Sequence, residues 1–150
     1  MPEEFTRPSW DEYFKQICRD VSLRASCRLR KVGALIVINE RILSTGYNGS
    51  PRGLPHCLDV GCKIVKVHEG DEVNERCDRC LHAEQNAIIQ CALHGVSCEG
   101  ATLYTTARPC RLCAKMIINA GITRVVYEED FKDKEPFELL KQAGVKVEKS

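Results

Sequence analysis

Two short motifs carry the residue types of this chain best suited to chemistry: His82-Ala83-Glu84 and Pro109-Cys110-Arg111-Leu112-Cys113. One imidazole and two thiolates make up the three-ligand set that catalytic zinc takes while keeping a fourth position for water. Zinc lowers the pKa of such a water to about 7, so a nucleophile becomes available at neutral pH. Glu84 is not needed as a ligand. Beside that water it can take a proton and redeliver it, which is general acid–base catalysis. The pattern predicts a hydrolytic centre with His82, Cys110 and Cys113 as zinc ligands and Glu84 as the catalytic residue.

Two plainer readings compete. A Cys-x-x-Cys pair can be a redox couple, but such a pair needs no His-x-Glu partner. A closed structural zinc would take a fourth protein ligand and leave Glu84 without a task. His82 alone would read as a buried or capping histidine, so its case rests on the combination.

The elements that must gather these residues are legible from periodicity. Ser9-Trp10-Asp11-Glu12 has the form of a capping box. Behind it Phe14, Ile17, Cys18, Val21 and Leu23 fall at near-helical spacing, predicting a helix that ends before Ser26. The apolar run 32–38, VGALIVI, breaks at Asn39-Glu40 and predicts a strand with 41–47 as its hairpin partner. Helices are expected at 82–94, 110–120 and 136–143, the last stopped by Gly144, and strands at 101–105, 123–127 and 145–148. A helix, a hairpin and three helix–strand units predict an α/β fold, a three-layer α/β/α sandwich on a five-stranded mixed sheet. Right-handed crossovers set the helices opening at His82 and Cys110 parallel, with both N-termini at one end of the sheet. Positive helix ends there favour thiolate, the form that binds metal.

Residues 48–79 dissolve into Gly, Pro, Cys, His and charge, and no regular structure is expected there. A loop that long needs a function or a stabilising ion. It contains Cys57, Cys62, Cys77 and Cys80, with Cys27 upstream and His56 and His68 close by. Cys57, Cys62, Cys77 and Cys80 form one local quartet for tetrahedral zinc. Cys18, Cys91 and Cys98 read as packing or loop residues.

At 150 residues the chain supports one core, so a single domain over 1–150 is expected, with a Cys-rich, zinc-stapled insertion at about 50–80. Basic and acidic residues number 22 and 21, a net charge of +1, which argues against a nucleic-acid polymer as partner. No stretch approaches the roughly 20 apolar residues of a membrane span. Met1-Pro2-Glu3-Glu4 lacks the basic and apolar regions of a signal peptide, so a cytoplasmic location is the expectation. In that reducing setting the closely spaced pairs among the ten cysteines, Cys77-x-x-Cys80 and Cys110-x-x-Cys113, read as metal ligands rather than disulfides.

At these residues the chain resembles the zinc-dependent cytidine and deoxycytidylate deaminases, whose signature is H-x-E followed by P-C-x-x-C. The resemblance extends to Arg7-Pro8-Ser9-Trp10-Asp11-Glu12-Tyr13-Phe14, Val32-Gly33-Ala34, Gly46-Tyr47-Asn48-Gly49 with Pro51, and His82-Ala83-Glu84-Gln85-Asn86-Ala87. It closes with Ala120-Gly121-Ile122 ahead of Val125-Val126-Tyr127, and is similar to the deoxycytidylate branch over nearly the whole chain.

The resemblance implies a cytidine deaminase-like fold and hydrolysis of dCMP to dUMP and ammonia by a zinc-activated water, supplying dUMP for thymidylate synthesis. Glu84 would protonate N3 and then the departing amino group, Asn48 would contact the sugar, and the Ala83 backbone would hold the pyrimidine. For the phosphate it offers Arg24 and Arg108, with Arg28 and Arg52 near the same segments. Arg108 departs from the aromatic, Ser or Glu common before Pro-Cys across the superfamily. The resemblance also implies a second, structural zinc on Cys27, Cys57, Cys77 and Cys80, with Cys62 as the alternate. It further implies a homo-oligomer, a hexamer, with dCTP and dTTP as effectors acting at Gly46, Tyr47, Asn48 and Gly49. An RNA adenosine or cytidine deaminase shares the triad, but usually carries Glu before Pro-Cys and lacks this insertion. A zinc-stabilised nucleotide-binding module is the other alternative, and an intact Glu84 argues against it.

Overall fold

In the computed structural model, which describes residues 4–150, the first helix starts on a reciprocal cap. The Ser9 hydroxyl accepts from the Glu12 N–H, and the Glu12 carboxylate accepts from the Ser9 N–H, opening α1 (Trp10–Ser22). Met1–Glu3, part of the stretch read above for a targeting signal, lie outside the described residues.

The hairpin β1 (Gly33–Ile38) and β2 (Arg41–Tyr47) follows. After the inserted segment come α2 (Cys57–Val60), β3 (Ile64–Glu69) and β4 (Glu72–Cys77). Then α3 (Ala83–Leu93), β5 (Thr102–Thr105), α4 (Arg111–Asn119), β6 (Arg124–Tyr127), α5 (Glu135–Gln142) and β7 (Lys146–Lys149) complete the chain. The main sheet has the order β2-β1-β5-β6-β7. β1 is antiparallel to both neighbours, while β5, β6 and β7 are parallel.

β1 is apolar throughout because both sheet faces are covered. Leu35 and Val37 turn to one face, where Phe14 and Cys18 of α1 pack with Tyr104 and Val126. Ala34 and Ile36 turn to the other, against Ala87 and Cys91 of α3, Ala114 and Ile117 of α4, and Leu140 of α5. The result is the expected three-layer sandwich on a five-stranded mixed sheet. No helix among the described residues is long and apolar enough to cross a membrane.

The structure corrects the sequence reading at 48–79. That segment holds a short helix and a separate two-stranded hairpin, in which β3 and β4 pair antiparallel about Gly70-Asp71. The strands pack on no sheet, and Ile64 and Val73 are exposed, so the apolar alternation is diluted by Lys, His and Glu. Gly70, at φ +61, supplies the turn, and Gly-Asp between two alternating runs was the available signal.

One glycine positions the site directly. A Cβ on Gly46 would lie 2.2 Å from the Ala83 carbonyl oxygen and 2.5 Å from the Ala87 nitrogen, so β2 meets the first turn of α3 with no room for a methyl group. Gly46→Ala must push α3, and the residues it carries, off the sheet. The expected cost is about 1–3 kcal/mol, read as a lowered Tm, accompanied by reduced zinc content per folded chain.

Candidate active site and a second thiol cluster

His82, Cys110 and Cys113 converge at the starts of α3 and α4. His82 Nδ1 lies 3.4 Å from the sulfur of Cys110 and 3.4 Å from that of Cys113, and all three donor atoms lie within 4.8 Å of one another. Tetrahedral zinc with Zn–S near 2.3 Å and Zn–N near 2.0–2.1 Å sets neighbouring S and N ligands about 3.6 Å apart. The donor set fits the metal in type and spacing. The His82 N–H donates to Gln85 Oε1 at 2.8 Å, fixing the residue where the helix begins. Cys110 caps α4, its sulfur accepting from the Cys113 N–H at 3.5 Å.

The local electrostatics prepare a thiolate. Hydrogen bonding from Cys113, and then from His82, pulls Cys110 down to about 3. The same contact with Cys110, followed by burial, pushes Cys113 up. His82 is raised by its hydrogen bond with Cys110.

Glu84 points into the same place. It is 4 % exposed, and burial raises its carboxyl above the usual range. Oε1 accepts from the Thr105 hydroxyl at 2.8 Å, and Oε2 lies 3.8 Å from the Cys113 sulfur. Thr105 Oγ1 in turn accepts from the Ala107 N–H at 3.2 Å. This threonine, at the end of β5, orients the carboxylate and was not singled out in the sequence. Nothing local marks it, because Thr is an ordinary strand residue and Glu84 lies 21 positions away.

These groups open onto a cleft of about 510 Å³ lined by Asn48, Ala83, Glu84, Arg108 and Phe131, among others. Three buried or part-buried protein donors with an adjacent buried carboxyl, in a cleft of ligand size, match a zinc hydrolase site. Residues 8–129 match the family model described as "Cytidine and deoxycytidylate deaminase zinc-binding region". The chain belongs to that family.

Among its relatives is the ComE operon protein 2 of Bacillus subtilis, 45% identical over 144 residues, covering 95% of this chain and 71% of that protein. The deoxycytidylate deaminase of Saccharomyces cerevisiae is 41% identical over 142 residues, covering 94% of this chain but 45% of the yeast protein. The chain thus spans under half the length of that relative. The crystal structure of dCMP deaminase from the cyanophage S-TIM5, in complex with dCMP and dUMP, superposes with a TM-score of 0.79 at 34% identity. It covers 97% of this chain and 100% of the phage chain.

The remaining residues singled out in the sequence divide in two. Asn48 is buried and lines the deaminase cleft. Its Oδ1 accepts from the Val32 N–H at 2.8 Å, and its Nδ2 donates to the Arg30 carbonyl at 2.8 Å, leaving one N–H and one lone pair for a ligand. Ala83 also lines the cleft. Arg108 lines it too, but is held between Glu129 at 2.7 Å and Glu69 at 3.1 Å. Arg24 and Arg52 are exposed and do not line the cleft, and Arg28 donates to the Leu58 carbonyl at 2.6 Å. The segment from Gly46 to Gly49 is tied to α3: the Tyr47 carbonyl accepts from Asn86 Nδ2 at 2.8 Å, and Gly49 bridges to Leu81.

A second group of sulfurs lies in the inserted segment. Cys27, Cys57, Cys62 and Cys77 have their sulfurs within 4.8 Å of one another. Cys80 is a fifth, 3.4 Å from the Cys57 sulfur. The four mutually close thiols are the set the resemblance implies with its alternate, Cys62, in place of Cys80, and they share three members with the local quartet. Sulfur separations of 3.8 Å (Cys27–Cys62) and 3.5 Å (Cys57–Cys77) are close to the roughly 3.8 Å edge of a tetrahedral zinc–thiolate site. Burial pushes Cys57 up to about 12. Burial also opposes ionisation of Cys77, yet the backbone N–H of Arg79, the Cys57 thiol and the Lys63 backbone bring it down to about 6.

Proposed function

We propose that this chain hydrolyses dCMP to dUMP and ammonia, with one catalytic zinc and a second, structural zinc in one catalytic domain. The observation that carries the reading is the buried Glu84 carboxyl beside the His82, Cys110 and Cys113 donors on the wall of a mononucleotide-sized cleft. Relatives named deoxycytidylate deaminase support the substrate, whereas the name of the B. subtilis protein states no activity.

His82, Cys110 and Cys113 would hold the catalytic zinc, which when bound acidifies a water to a pKa of about 7. The chain's own groups do the rest. Glu84, buried beside the donor set with its carboxyl raised above the usual range by desolvation, accepts a proton from the attacking water. It passes protons to ring N3 and then to the amino group, so that dCMP and water become dUMP and ammonia. Thr105 keeps the carboxylate turned to the donors. Asn48, pinned by two backbone contacts, offers its free amide N–H to the sugar.

Ammonia release from dCMP, CMP, dCTP and cytidine tests the substrate. The expected order places dCMP first, by at least tenfold in kcat/KM. A chain more active on cytidine than on dCMP would overturn the nucleotide reading, and one inactive on the whole panel would favour a binding module.

A further inference from the structure

Four arginines line the cleft: Arg30, Arg76, Arg108 and Arg111. Three are already neutralised. Arg30 pairs with Glu129 at 2.8 Å, Arg108 sits between Glu129 and Glu69, and Arg111 pairs with Asp133 and Glu135. Among the described residues Arg76 alone of the four has no carboxylate in ion-pair range, and no lysine lines the cleft. The cleft also carries Glu69, Glu75, Asp78, Glu84 and Asp133, so an uncompensated positive charge is where a dianionic phosphate meets the least repulsion.

The inserted hairpin places Arg76, an exposed side chain, on the wall of the cleft. Directly paired residues of antiparallel strands share a face, so Arg76 lies with Val65, Asn74 with Val67, and Glu72 with Glu69 on one side. That side meets the cleft, because Glu69 grips Arg108 there at 3.1 Å and Val67 lines the wall. The hairpin is fastened at both ends. At its base, Cys62 and Cys77 belong to the thiol cluster. At its tip, a Cβ on Gly70 would lie 2.9 Å from the Lys132 carbonyl oxygen, and Glu72 pairs with Lys132 at 3.6 Å. Arg76 is thereby carried on a strap fixed across the cleft, one residue from a thiol anchor.

We propose that Arg76 receives the phosphate of the substrate, making the β3–β4 hairpin a specificity element for phosphomonoesters. A guanidinium can meet phosphate with two parallel N–H···O bonds, which a neighbouring lysine could not reproduce in geometry. The assignment rests on the dCMP reading above.

Zinc-loaded full chain, wild type against Arg76→Gln and Arg76→Lys, is assayed on dCMP and on deoxycytidine. Arg76→Gln is expected to raise KM for dCMP by about tenfold or more, the worth of a charged hydrogen bond, with kcat changed by less than about threefold. The preference for dCMP over deoxycytidine, as a ratio of kcat/KM, falls by the same factor, and Arg76→Lys recovers part of it. An unchanged KM, or equal losses on both substrates, overturns the role of Arg76 while leaving the deaminase reading intact. Wild-type protein that prefers deoxycytidine overturns the nucleotide reading and this assignment with it.

Discussion

Glu84→Gln is expected to lower kcat by about 10²–10⁴-fold, the usual worth of a positioned acid–base group, without loss of zinc or of thermal stability. The argument is one of burial. The carboxyl is 4 % exposed, and desolvation raises its folded pKa above the ordinary value of 4.5. A carboxyl with a raised folded pKa binds its proton more tightly in the native state than in the unfolded chain. Its stabilising contribution is therefore present at low pH and is lost as pH rises through the folded pKa. Once ionised, the buried group is a burden on the fold. Glutamine keeps the shape, and its amide oxygen can still accept from the Thr105 hydroxyl. The variant should therefore melt at or above the wild-type Tm at pH 7 while failing to release ammonia. Metal analysis, melting and ammonia assay on one preparation check the three parts. Turnover within tenfold of wild type would mean that another group moves the proton.

That separation of chemistry from stability tracks what sequence could and could not reveal. Ligand types, helix starts and the His-x-Glu spacing are local, so the donor set was legible as a pattern. β1 was legible because burial on two faces leaves an uninterrupted apolar run. The hairpin β3–β4 was not, because its strands join no larger sheet and their alternation is short: Val65 and Val67 carry it in β3, and β4 offers only Val73 before Cys77. Arg108 reads as a free cation in sequence, yet its partners Glu69 and Glu129 lie 39 and 21 residues away and reach it only through the fold. The cysteine cluster shows the same limit. Cys27 and Cys62 are 35 positions apart with sulfurs 3.8 Å apart, whereas Cys80, three residues from Cys77, stands outside the mutually close four. Spacing names the thiols, and only the fold sorts them.

Cys57→Ser is expected to give the largest stability loss of any single substitution in the inserted segment, because in the two-zinc reading a metal there would take the place of a core. Cys27, Cys57 and Cys77 form a small buried cluster of their own, separate from the two clusters that flank the sheet, and Cys57 is fully buried within it. The hairpin it anchors leaves Ile64 and Val73 exposed, so little apolar burial holds β3 and β4 in place. Structural zinc typically contributes roughly 10–16 kcal/mol to small sites, and loss of a buried sulfur ligand should forfeit about 3 kcal/mol or more of that. For a chain of this size each kcal/mol shifts Tm by roughly 2–4 °C, so a fall of about 10 °C is expected. Zinc content should drop from two to one per chain, and limited proteolysis should begin cutting between Cys57 and Cys77. Cys80→Ser is the internal control, since its sulfur lies outside the mutually close set; it should keep both metals, with a Tm within about 2 °C of wild type. Two zincs retained by Cys57→Ser, or a single zinc in the wild-type protein, would remove the structural metal from this account. The hairpin carrying Arg76 would then need another anchor.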